Sequence, residues 1–197
     1  MARSEDTINR ISTGYLNTVD DAAAGQQTAA EFGMHTSGGD LGKVVSFKNG
    51  AVPASAGVTL YGGQYQYVQT KAASSAAPAA GAIAFWYDEA TYVVTPDYSA
   101  GSSKVAGVYL GAPTKGNYCF IQRSGLAHVL FRAAITKATP AIGDLVIVLA
   151  GSDTADVLAD ATNLTSVELR SVLGIASQAP ANGVTKLVQL WERFFNN

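Results

Sequence analysis

The sequence predicts an all-β protein, a small β-barrel or sandwich with an extended N-terminal arm. From residue 41 onward, β-branched and aromatic residues alternate with polar ones in short runs, separated by Gly, Asn, Asp or Pro at hairpin spacing. The runs follow one another without long helical intervals, which argues for a sandwich or small barrel over a helix-covered parallel sheet. One strand-turn-strand unit also occurs twice at a fixed offset in the C-terminal half.

Residues 1–45 are rich in Ala, Gly, Ser, Thr and Asp, with single apolar residues such as Ile8, Ile11, Tyr15, Leu16 and Phe32. Asp20 or Asp21 can cap a helix running to Phe32, but an apolar face made mostly of alanine buries little area. Such a segment is a flexible tail or an arm that orders on a neighbouring subunit. Residues 46–80 hold short β segments and a linker. Lys43–Phe47, Gly57–Tyr61 and Tyr65–Gln69 read as strands, and the Ala/Ser/Pro stretch Ala72–Ala82 marks the expected domain boundary.

Residues 81–197 form the predicted barrel domain. Its strands are Ile83–Tyr87, Tyr92–Thr95, Val105–Leu110, Asn117–Gln122, Ala127–Phe131 and Leu145–Leu149, with a final strand in Val184–Phe194 that turns Val188, Leu190 and Trp191 inward. Ser166–Val172 is either a short helix or a loop. Within this domain, Val105-x-Gly107-Val108-x-x-x-Ala112-Pro113-x-x-Gly116, ending in Ile121-Gln122, matches Val172-x-Gly174-Ile175-x-x-x-Ala179-Pro180-x-x-Gly183, ending in Val188-Gln189. Every pair lies 67 positions apart (105 to 172). The unit is a strand, a turn opened by proline and closed by glycine, and a return strand. Two such hairpins at opposite ends of one sheet would help it close and remove exposed edges.

Composition narrows the function. The chain has 197 residues, of which 48 % are hydrophobic and 14 % charged, against about 25 % charged in an ordinary soluble domain. A surface of small and amide side chains is cheaper to desolvate than a charged one and suits permanent contacts. A net charge of -2 offers no basic face for phosphates, so no nucleic-acid partner is expected. The start has no apolar leader and no stretch reaches membrane-spanning length, so export and a membrane are not expected either. A single cysteine, Cys119, rules out an intrachain disulfide and fits assembly in a reducing cytoplasm.

The residues that carry chemistry do not assemble into a motif. The two histidines are His35, in a loop, and His128, at a strand position with its ring at the surface or an interface, and neither stands in a metal-ligand spacing. Asp88-Glu89 reads as a hairpin turn, and Asp153, Asp156 and Asp160 as a solvated loop that lacks the ligand pattern of a calcium site. Gly111–Gly116 lies between two strands and lacks the ending of a phosphate-binding loop. Asn163-Leu-Thr165 is a glycosylation acceptor only in a secreted protein. The aromatic group Phe85, Trp86, Tyr87 and Tyr92 divides between the core and a partner-facing side, because neighbours on a strand point to opposite faces. No enzyme activity and no cofactor are expected.

The segments Phe85-Trp-Tyr, Tyr92-Val-Val-Thr, Val105-Ala-Gly-Val, Gly116-Asn-Tyr-Cys-Phe-Ile-Gln122 and Pro140-Ala-Ile-Gly-Asp144 together resemble the head decoration, or capsid cement, proteins of tailed bacteriophages. The resemblance covers roughly residues 81 to 195. It implies a capsid-surface β-barrel, made in the host cytoplasm, that sits over joints between major capsid proteins. It also implies a homo-oligomer, with a trimer favoured, an N-terminal arm along the shell and no catalytic residues. The long Ala/Gly-rich first 80 residues and the low charge depart from that pattern. Interface burial then does the work, and Tyr65, Tyr67, Trp86, Tyr109 and Trp191 are the expected anchors. The rival expectation is a tail or baseplate protein whose barrel binds host glycan through exposed aromatics.

Overall fold

In the computed structural model, the described residues are 41–47, 52–53, 59–98, 104–149, 151–159 and 172–191. The helix expected at 20–32, residues 166–171 of the helix-or-loop segment Ser166–Val172, the first 40 residues of the arm, His35, Asp160 and Asn163–Thr165 lie outside them, while Val172 itself opens a strand. The alternating runs form thirteen strands: β1 Val44–Phe47, β2 Val52–Pro53, β3 Thr59–Leu60, β4 Gly63–Thr70, β5 Ile83–Asp88, β6 Val93–Thr95, β7 Val105–Tyr109, β8 Tyr118–Gln122, β9 Gly125–Leu130, β10 Leu145–Val148, β11 Ala155–Val157, β12 Val172–Ala176 and β13 Thr185–Leu190. The all-β class predicted from the sequence is the class observed.

The strands make two five-stranded rings in tandem. In the first, β4-β6-β5-β7-β8 closes when β8 pairs back onto β4, and β1 extends the sheet beside β4. In the second, β11-β10-β12-β13-β9 closes through a parallel bridge from Phe131 to Ala155. Closure removes the free edges that would otherwise template aggregation.

Strand by strand, the second ring repeats the first. Ile83↔Val108 and Ala84↔Gly107 precede a bulge in β5–β7, and Leu145↔Ile175 and Val146↔Gly174 precede a bulge at the same place in β10–β12. Tyr65↔Gln122 in β4–β8 corresponds to Leu126↔Gln189 in β9–β13. Trp86↔Val94 corresponds to Val148↔Ala155. The loops follow suit: Gly81 N–H bonds Tyr109 O (2.8 Å) as Gly143 N–H bonds Ala176 O (2.9 Å), and Lys71 N–H bonds Val94 O (2.7 Å) as Arg132 N–H bonds Ala155 O (3.0 Å). The repeated glycine is needed because a Cβ on Gly107 would stand 2.6 Å from the Gln122 carbonyl oxygen, and one on Gly174 2.0 Å from that of Gln189.

The sequence repeat is therefore the most similar part of a full duplication. The two hairpins are not at opposite ends of one sheet, as expected, but at equivalent places in two rings. The expected boundary near residue 80 is also corrected. β4, expected as a strand ahead of the barrel domain, is an integral strand of the first ring, so that ring spans 63–122 and the second 125–190. Of the run Gly57–Tyr61, the described residues Thr59–Leu60 form β3, paired with β2. β11 was not expected at all.

The rings differ where they meet. In the first, Gln69 N–H bonds Tyr92 O (3.0 Å) and zips β4 to β6. The equivalent groups of the second ring, Leu130 N–H and Asp153 O, instead bond Gly81 O (2.8 Å) and Ile83 N–H (2.6 Å). The corner leading into β5 is thus inserted as a short extra strand into the seam between β9 and β11. A Cβ on Gly81 would lie 2.9 Å from Leu130 N, so only glycine fits that seam. Behind the corner, Ile83, Phe85 and Val108 join the interior cluster of the second ring, with Val129, Phe131, Leu173 and Val188. Each such side chain contributes roughly 1.5–3 kcal/mol on burial, which welds the rings into one unit. The interior of the first ring holds a separate cluster around Val68, Trp86, Tyr109 and Ile121.

Asp153 sits at this junction. Burial pushes its carboxyl above the ordinary value, its own backbone N–H works the other way, and the charge of Asp97 adds to the rise. A raised folded value means that the favourable contribution is complete below the ordinary carboxylate pKa and is lost as pH rises through the folded one. Replacing Asp153 with Asn is therefore expected to raise the thermal midpoint at pH 7, with the gain shrinking toward zero as pH falls to about 3.5. Midpoints of both proteins across that range check it.

Candidate interaction surface

Four of the five expected anchors cannot reach a partner. Tyr65 (0 % exposed), Tyr67 (1 %), Trp86 (4 %) and Tyr109 (1 %) are buried in the chain itself. The expectation assumed one solvent-facing side per strand, but β4 and β5 are covered on both faces. Tyr67 packs against Tyr118 and Phe120, with ring centroids 5.9 and 5.1 Å away. In the first-ring interior, Trp86 Nε1 and Tyr109 Oη are buried without hydrogen-bond partners among the described residues, where the second ring places Val148 and Ala176. Burial drives both the Tyr109 and Tyr65 phenols well above their ordinary range. Trp191 is half-buried against Ile147, Leu158 and Val172, on the outside of the second ring, while Val188 and Leu190 point inward as expected.

The titratable residues serve the fold. Asp88 accepts hydrogen bonds from Thr91 Oγ1 (2.7 Å) and Ala90 N–H (3.0 Å), and Glu89 pairs with Lys104 at 2.7 Å, as a hairpin turn requires. The Asp88 carboxyl lies below its ordinary range, chiefly through the Thr91 hydrogen bond. His128 is half-buried on β9, its ring 5.9 Å from that of Tyr61. Asp156 overturns the solvated-loop reading. It is 0 % exposed on β11, accepts from Thr136 N–H (2.8 Å), Thr136 Oγ1 (2.6 Å) and Val157 N–H (2.7 Å), and pairs with Arg132 at 3.1 Å. Among the described residues, no three His, Cys, Asp or Glu side chains come together in a way that can hold a metal ion. No helix among them is long and apolar enough to cross a membrane.

The outer rim of the second ring has the character of a contact surface. It is built by the loop from Arg132 to Asp144 and the turn from Ser177 to Val184, which meet where Gly183 N–H bonds Arg132 O (2.9 Å) and Ile135 N–H bonds Asn182 Oδ1 (3.0 Å). Ile142 is 70 % exposed and Val184 42 %, among Ala133, Ala134, Ala141 and Ala179, which are exposed too. The charges in these two loops are matched. Arg132 is paired with Asp156, and Lys137 with Asp144. Although burial opposes it, the Lys137 hydrogen bond and charge, together with the Ala141 N–H, hold the Asp144 carboxyl below its ordinary range. Elsewhere, the exposed ring of Tyr87 carries the Lys71 ammonium 3.8 Å from its centroid.

No protein-family model matches this chain, and no curated protein matches it.

Proposed function

We propose that this chain is a structural, non-enzymatic virion protein that decorates and stabilises a phage capsid by binding across neighbouring major capsid proteins. The observation that carries the reading is the second-ring rim, a surface of small side chains with exposed Ile142 and Val184, whose charges Arg132, Lys137 and Asp144 are held in ion pairs. Desolvating it costs little, so shape and apolar contact hold a partner there. The doubly closed scaffold also supports the reading, since two rings welded through one seam resist deformation and the strands within each ring have no free edge. The resemblance of residues 81–195 to capsid cement proteins points the same way.

Incubation of the purified chain with assembled shells that lack it, followed by sedimentation, tests the proposal. Co-sedimentation with shells and no binding to dissociated capsid subunits is expected. Binding to neither sinks the decoration role. The alternative, a tail or baseplate protein that binds host glycan, rests on the exposed ring of Tyr87, one face of which Lys71 occupies. Saturable glycan binding by the isolated chain, lost in Tyr87→Ala, would favour it instead.

A further inference from the structure

Asn182 is followed by Gly183 in an exposed turn that the Val184 N–H closes onto Ala181 O (3.5 Å). That dipeptide carries its own chemistry. The Gly183 nitrogen, with no Cβ beside it to hinder approach, is placed by the chain within reach of the Asn182 side-chain carbon Cγ. On attack a Cγ–N bond forms, the Cγ–Nδ2 bond breaks, and ammonia leaves with the proton that the Gly183 nitrogen carried. Water then opens the cyclic imide at either carbonyl, giving aspartate or isoaspartate.

In this fold both reacting groups are tied to the loop after β9. Gly183 N–H donates to Arg132 O (2.9 Å), and Asn182 Oδ1 accepts from Ile135 N–H (3.0 Å). While those bonds stand, the nitrogen keeps its proton and the side-chain amide is held to Ile135, so the two do not meet. The loop is moored in turn by buried Asp156, through Arg132 (3.1 Å), Thr136 N–H (2.8 Å) and Thr136 Oγ1 (2.6 Å). We infer that Asn182-Gly183 is a self-modification site latched by the Arg132–Thr136 loop, with Asp156 holding the latch shut. A chain whose rim has opened is then marked permanently. Conversion adds a negative charge to a rim whose cations Arg132 and Lys137 are already paired, and isoaspartate also inserts one carbon into the main chain just ahead of β13. The inference does not depend on what the rim binds.

Incubation of the full chain in mildly alkaline buffer, followed by peptide mapping by mass spectrometry, reads the conversion of amide to acid at Asn182. Each hydrogen bond of the latch contributes a factor of roughly 5 to the opening equilibrium, so the reaction should run at least ~10-fold slower in native buffer than in guanidinium chloride. Thr136→Val removes one donor to Asp156 and should speed the native reaction about 2–5-fold. Asp156→Ala removes the mooring and should bring it close to the denatured rate. Both variants are assayed at a temperature where circular dichroism shows them folded. Asn49-Gly50, the other such dipeptide in the chain, should react at one rate in all three folded proteins. Equal rates at Asn182 in native and denaturing buffer, unchanged rates in both variants, or a rise that Asn49 shares equally would each overturn the inference.

Discussion

Gly174→Ala is expected to destabilise the chain by about 3–5 kcal/mol, well beyond what the loss of backbone freedom at glycine would offset. The added Cβ would stand 2.0 Å from the Gln189 carbonyl oxygen and 2.9 Å from its carbon, both main-chain atoms of the paired strand β13. No side-chain rotation relieves such a contact. β12 and β13 must separate, and with them the pairing of Gly174 with Leu190. The bulge in β10–β12 fixes the origin of the crowding, since it turns two successive residues of β12, Leu173 and Gly174, toward the inside of the ring. Gly107→Ala places the same methyl group 2.6 Å from Gln122 O, so it should cost less, about 1–3 kcal/mol. Urea unfolding of both variants checks the ranking, and equal losses would contradict the geometric account.

Asp156→Ala should cost a similar amount, about 3–5 kcal/mol. The carboxylate is wholly buried and is the common acceptor for the Thr136 N–H, the Thr136 hydroxyl, the Val157 N–H and the Arg132 guanidinium. Removing it strands several donors at once and frees the loop after Phe131 from β11, where the second ring closes by its single parallel bridge. Asp156→Asn keeps one acceptor oxygen and should lose less than the alanine variant. Thermal unfolding monitored by tryptophan fluorescence suits this test, because Trp191 packs beside Leu158, two residues beyond Asp156. A midpoint for Asp156→Ala within about 2 °C of wild type would show that the network contributes little.

The duplication was legible in the sequence only where the chain cannot drift. Val105, Gly107, Ala112, Pro113, Gly116 and Gln122 recur 67 positions on (105 to 172) because bulge and turn geometry restrict those sites to few residue types. The remaining strands are duplicated just as faithfully in register, but β5 aligns with β10 at an offset of 62 (83 to 145) and β4 with β9 at 61 (65 to 126). Loops between strands absorb insertions, so the offset wanders, and strand positions accept any apolar residue of suitable size, as Trp86 opposite Val148 illustrates.

The surface was harder to foresee than the fold. Alternation identifies which residues share a face of a strand but not what covers that face, so Tyr65, Tyr67, Trp86 and Tyr109 read as anchors, whereas all four are buried, Trp86 and Tyr109 inside the first ring and Tyr67 against Tyr118 and Phe120. Asp156 looked like a loop residue because a three-residue strand with a central aspartate carries almost no β signal, and only its partners Arg132 and Thr136, distant in sequence, make its burial tolerable. By itself, the sequence determined the all-β class, most of the strand positions and the repeated hairpin, all of which follow from local period and turn chemistry. Tertiary structure alone decided that there are two rings, that Gly81 stitches one into the other, and that Ile142 is left outside. Those outcomes depend on which distant strands complete each other's hydrogen bonds.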